Sequence, residues 1–162
     1  MHPGINGPKY KDKPSVIMAG SGDVITHQQL NELSHQGAQL FRSLGLKPGD
    51  SLAFMMENHK LFFPIAFAAY RSGLKYTAIS WRLQASEVEY IVKDCGAKVF
   101  ITSKFLEESA QSLANSLEGV HKFMLDGITD DFKSYEEEID KMPVTPIELS
   151  LIHISEPTRR LS

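Results

Sequence analysis

At 162 residues the chain has the length of one domain with room for a sizeable core. Its 42% hydrophobic and 23% charged residues are those of an ordinary globular protein and exclude a disordered or fibrous one. A net charge of −3, mixed along the chain, offers no basic stripe to nucleic acid, and the single cysteine, Cys95, excludes an intrachain disulfide or a cysteine-built zinc cluster.

Residues 1–13 are polar and Pro/Gly-rich and read as a flexible N-terminal arm without the apolar core of a secretory signal. PSVIMAG from Pro14 reads as a strand, and SGD at 21–23 as a turn into a second short strand at Val24 and Ile25. Thr26 with Gln29 makes the T-x-x-Q capping box. Leu30, Leu33, Gly37, Leu40, Phe41 and Leu44 then repeat on one helical face, closed by Gly45 with Pro48 beyond.

A β/α alternation follows. SLAFMM at 51–56 is a strand, and a helix is expected from about His59 to Ser72, capped by Asn58 and stopped by Gly73. Pro64 should kink that helix or mark its true start. The run LFFPIAFAAY at 61–70 is too short to cross a bilayer, so no transmembrane segment is expected and a cytoplasmic, reducing setting is. KYTAI at 75–79 is the next strand. Val88, Ile91, Val92 and Cys95 line a helix closed by Gly96, and KVFITS at 98–103 is a strand again. Phe105, Leu106, Ala110, Leu113 and Leu117 mark another helix, VHKFML at 120–125 a final strand, and Asp126-Gly127 a turn. Phe132, Tyr135, Ile139 and Met142 suggest a short amphipathic helix, and PVTPIE at 143–148 a linker-like segment.

Continuously apolar strands separated by helices call for a mainly parallel sheet covered on both faces. The expected fold class is therefore α/β, doubly wound or three-layered.

Physical reading of the side chains yields no active site. Gly20-Ser21-Gly22 precedes a strand, not a helix N-terminus, so a hairpin turn fits better than a phosphate loop. His27 and His35 are eight apart, where helical metal ligands usually sit three or four apart. Cys95 reads as a small core residue, and Glu136, Glu137 and Glu138 as a solvated face. Trp81 and Arg82 follow a parallel strand, where α/β folds bind ligands, although the tryptophan could equally plug a gap between strand and helix.

Three stretches carry a resemblance. VITHQQLNELSHQGAQLFRSLGLKPGDSLAFMMENH resembles the opening of the acyl-adenylate-forming (AMP-binding) enzymes, which include the acyl-CoA synthetases, with His27 standing where the family often has an aromatic residue. AFAAYRSGLKYTAISWRL is similar to the family's helix–Gly–strand passage, closest to the fatty-acyl-CoA synthetase branch, and SEVEYIVKDCGAKVFITS to the helix and strand that follow. The resemblance runs from about Lys13 to Glu148 and implies a partial N-terminal domain over 14–148.

It also implies a full-length parent that uses ATP, Mg2+ and coenzyme A to turn a carboxylic acid, fatty or otherwise apolar, into its thioester. Aryl or amino acid substrates, or a non-catalytic α/β binding module, are the alternatives. The family's Ser-Gly-Thr-Thr-Gly-x-Pro-Lys-Gly loop is absent from this sequence, so the resemblance transfers no catalytic, cofactor-binding or metal residue. The chain by itself is expected to be inactive and to bind those cofactors poorly; its oligomeric state is left open. Finally, LSLIHISEPTR resembles the translation of a transposase-type sequencing adapter, so 149–162 is expected to be a non-native tail.

Overall fold

The capping box at Thr26 forms as its spacing predicts. In the computed structural model, which describes residues 8–148, Thr26 Oγ1 accepts the Gln29 N–H at 3.1 Å and Gln29 Oε1 accepts the Thr26 N–H at 2.9 Å. This starts helix α1 (His27–Ser43) directly behind an antiparallel hairpin of β1 (Pro14–Ile17) and β2 (Val24–Thr26). The Gly20-Ser21-Gly22 triplet is the hairpin turn: Gly22, at φ 76°, donates its N–H to Met18 O at 2.8 Å. At its other end α1 stops as predicted, with Gly45 at φ 85° and the Leu46 N–H reaching back to Phe41 O at 3.1 Å.

Five parallel strands follow: β3 (Ser51–Met55), β4 (Lys75–Ile79), β5 (Ala97–Ser103), β6 (His121–Leu125) and the two-residue β7 (Lys133–Ser134), in the spatial order β4-β3-β5-β6-β7. Helices α2 (Phe62–Arg71), α3 (Ala85–Asp94), α4 (Glu107–Ala114) and α5 (Tyr135–Asp140) complete the unit, with a 3-10 turn at Lys104–Leu106 ahead of α4. The α/β class with a mainly parallel sheet is thus the observed one.

Side chains alternate across β3, so Leu52 and Phe54 face one layer while Ala53 and Met55 face the other. The first layer is α1, α2 and α5, contributing Phe41, Ile65 and Tyr135; the second is α3 and α4, contributing Val88, Val92 and Leu113. Because both faces are covered at the sheet centre, β3 and the middle of β5 read as apolar runs, whereas the edge strands β4 and β7 are largely exposed.

Several expectations need correction. Helix α2 begins at Phe62, not His59, and Asn58 does not cap it. Pro64 consequently sits in the first helical turn, where its missing N–H would have had no intrahelical acceptor. VHKFML is not the last strand, since β7 adds an edge beside β6. Phe105 is exposed and lies in the 3-10 turn, off the buried face of α4. Phe132 and Tyr135 do not share one amphipathic face, because Phe132 enters the α3/α4 layer and Tyr135 the α1/α2 layer. PVTPIE is docked on α1, with Ile147 buried. In the expected arm, the carbonyls of Lys11 and Lys13 accept the N–H groups of Gln28 and His27, each at 3.0 Å. The first seven residues and the tail at 149–162 lie outside the described residues.

Candidate site at the carboxyl edge of the sheet

From β3 the chain moves through α2 to β4 on one side, then returns through α3 across β3 to β5 on the other. Helices α2 and α3 therefore cover opposite faces, and the strand order reverses between β3 and β5 at their carboxyl ends. Open α/β sheets bind ligands at this reversal of direction.

Four polar side chains gather there. Glu57 follows β3, Ser103 ends β5, Asp126 follows β6, and His59 leads toward α2. Ser103 Oγ donates a short hydrogen bond to Glu57 Oε2. His59 Nε2 lies 2.8 Å from Asp126 Oδ2, while its Nδ1 accepts the Leu61 N–H at 3.0 Å. Asp126 has φ 62°, rare for a residue with a side chain, and its own N–H is accepted by Glu136 Oε1 at 2.8 Å. The His59 side chain is 7% exposed and that of Asp126 55%, so a buried imidazole is held under a solvent-facing carboxylate.

The sequence profile of the AMP-binding enzymes matches residues 6–153. The chain belongs to the AMP-binding enzyme family. It is 32% identical over 95 residues to a fatty acid–acyl-carrier-protein ligase from Streptomyces coeruleorubidus, covering 59% of this chain and 17% of the relative. With a long-chain-fatty-acid–CoA ligase from Mycobacterium tuberculosis it shares 35% over 77 residues, 48% of this chain and 15% of that one. The crystal structure of an anthranilate CoA ligase with anthranoyl-AMP superposes with a TM-score of 0.82 at 20% identity, covering 91% of this chain and 28% of that one. The chain thus spans under a third of the length of these relatives.

The residues singled out by sequence mostly stay apart. His27 lies beside the Tyr10 ring, while His35 is buried against Arg71, whose Nη1 is 3.0 Å from His35 Nε2, so the two histidines form no pair. Burial also lowers the pKa of Arg71, whose Nη2 donates to Asn31 Oδ1. Cys95 is partly buried with Sγ 3.5 Å from Val92 O, a packing position.

Trp81 does not plug a gap: it is 41% exposed at the carboxyl edge, packed edge-on against Phe105 at 6.0 Å with Arg82 over its ring at 5.3 Å. Of the acidic run, Glu138 pairs with Lys141 at 2.7 Å, whereas Glu136 is not simply solvated, since it holds Asp126.

Sequence reasoning missed Glu57, His59, Ser103 and Asp126. The available signal was that Glu57 and Asp126 are the first polar residues past the apolar strands β3 and β6.

The ligating atoms of Glu57, His59 and Asp126 lie within 4.8 Å of one another, a spacing that a cation could bridge. The hydrogen bonds account for the cluster without one. A metal-bound histidine donates its other ring N–H, yet His59 Nδ1 is an acceptor, so the one proton of the neutral ring sits on Nε2 and goes to Asp126. A metal at Nε2 would displace that proton and either leave an imidazolate or break the Leu61 bond. The arrangement is a clamp joining the end of β6 to the start of α2. His59→Ala, which removes both bonds, is expected to lower unfolding free energy by about 1–3 kcal/mol, read from the urea midpoint. An unchanged midpoint would show that the clamp carries no stability. No helix of the described residues is long and apolar enough to cross a membrane.

Proposed function

We propose that this chain is the N-terminal part of an ATP-dependent acid–thiol ligase. The parent activates a fatty or other apolar carboxylic acid as its acyl-adenylate and passes the acyl group to coenzyme A, with Mg2+ at the phosphates. The observation that carries this reading is the family match across residues 6–153, supported by the fatty-acid ligases among the relatives. The chemistry follows from charge: a carboxylate resists attack by a thiol until one of its oxygens becomes part of a good leaving group, here AMP. Positioning and electrostatic stabilisation of the phosphates then supply the rate.

This chain holds the α/β scaffold and its carboxyl-edge switch point, while the Ser/Thr/Gly-rich loop and lysine that handle phosphate are absent from its sequence. An aryl acid is the second reading, favoured by the feruloyl-CoA synthase of an Amycolatopsis species, 29% identical over 93 residues.

The experiment has two arms. The coding DNA is read past the codon for Glu148, where a phosphate-loop motif within a few tens of codons is expected and an in-frame stop would favour a binding module. The encoded full-length protein is then assayed for ATP–pyrophosphate exchange with a fatty acid and with ferulate. Exchange with the fatty acid supports the first reading, exchange with ferulate alone the second, and none with either refutes both. The 162-residue chain is expected to catalyse no exchange.

A further inference from the structure

One polar stripe of α1 has a use that its sequence does not announce. Gln36, Gln39 and Arg42, spaced three apart, all donate to backbone carbonyls of the segment after α5. Gln36 Nε2 reaches Met142 O at 3.2 Å, Gln39 Nε2 reaches Thr145 O at 2.9 Å and Pro146 O at 3.3 Å, and Arg42 Nη1 reaches Glu148 O at 3.1 Å.

The geometry and the chemistry agree. Between Gln36 and Arg42 a helix advances about 9 Å, whereas 142–148 fully extended would cover roughly 20 Å. The segment keeps step only by bending, and Pro143 and Pro146 restrict it to compatible backbone angles. Prolines also remove two N–H groups, so the segment is richer in acceptors than in donors. Helix α1 supplies the missing donors. Of the apolar side chains in the segment, Ile147 is 8% exposed and Met142 is partly buried against the core, whereas Val144 is 47% exposed, so Met142 and Ile147 are the apolar anchors.

We infer that α1 is a donor rail that holds residues 142–148 by their carbonyls and keeps that segment rigid. The segment is then a strap belonging to the rigid unit. Because the rail reads carbonyls, the exposed side chains of Val144, Thr145 and Glu148 are free to vary.

The test is backbone 15N relaxation on the full 162-residue chain. Order parameters near about 0.85 are expected at Val144, Thr145, Ile147 and Glu148, the value of rigid backbone. Gln39→Met with Arg42→Met keeps side-chain bulk but removes the donors, and should drop these amides below about 0.6, the flexible range, while α1 stays rigid. Thr145→Val should leave the strap rigid. If the double variant does not fold, Gln39→Met alone should loosen Thr145. A strap that is flexible in the parent, stays rigid without the donors, or loosens on Thr145→Val overturns the inference.

Discussion

Gly37→Ala is expected to destabilise the protein by about 1–3 kcal/mol, the usual cost of overpacking a filled interior. The sign runs against helix propensity, which favours alanine over glycine by about 1 kcal/mol in a helix interior. Close packing decides the matter. A Cβ at Gly37 would stand 2.7 Å from Ala68 Cβ and 2.7 Å from Tyr135 Oη, where carbon–carbon contacts want about 3.5–4.0 Å. Neither neighbour yields readily: Ala68 is 0% exposed and fixed to α2, and the Tyr135 ring is 1% exposed under α1. The measurement is a urea midpoint at unchanged slope. Tyr135→Phe removes one of the two obstructing atoms, so Gly37→Ala should cost less in that background. A midpoint raised by Gly37→Ala, or an equal cost in both backgrounds, would contradict the close approach.

That contact also shows what the sequence made legible. Gly37 falls on the apolar face of α1 by its spacing, but nothing local says that α2 and Tyr135 meet it there. Elements set by neighbours in sequence were readable: the Thr26 capping box, the Gly45 stop and the turn at Gly20-Ser21-Gly22 all form as local chemistry dictates. Strand identity was readable too, because burial on both faces leaves apolar runs such as β3 and residues 99–101 at the centre of β5.

Features that depend on partners far along the chain were not. The start of α2 is set by His59, whose imidazole is held by Asp126 from β6, rather than by the locally plausible Asn58. Glu136 looks like one of three solvated carboxylates until Asp126 supplies a positive-φ amide for it. Gln36, Gln39 and Arg42 look like a hydrated helix face until the strap arrives more than a hundred residues later. Each missed residue is polar, and each is explained by a hydrogen bond to a partner at least ten residues away in sequence.

Tyr135 should also make the protein measurably weaker in alkali. Its hydroxyl has no hydrogen-bond partner among the described residues, and burial first, with the charge of Glu136 second, raises its pKa well above the ordinary value of 10. The folded chain therefore keeps the phenol neutral where the unfolded chain ionises it. Stability from this group is fully present below pH 10 and is lost as the pH climbs beyond it, by up to about 1.4 kcal/mol per unit. Urea midpoints at pH 7, 10 and 11, compared between the parent and Tyr135→Phe, isolate the effect, since the exposed tyrosines Tyr70, Tyr76 and Tyr90 are common to both proteins.

At pH 7 the substitution should be neutral or stabilising by up to about 1 kcal/mol, because it deletes a desolvated hydroxyl that gains nothing in return. At pH 11 the variant should stand further ahead by the ionisation cost that only the parent bears. Parallel pH dependence would mean that the hydroxyl is solvated or bonded, and the tight meeting of Gly37, Ala68 and Tyr135 would have to be looser than the contacts described above.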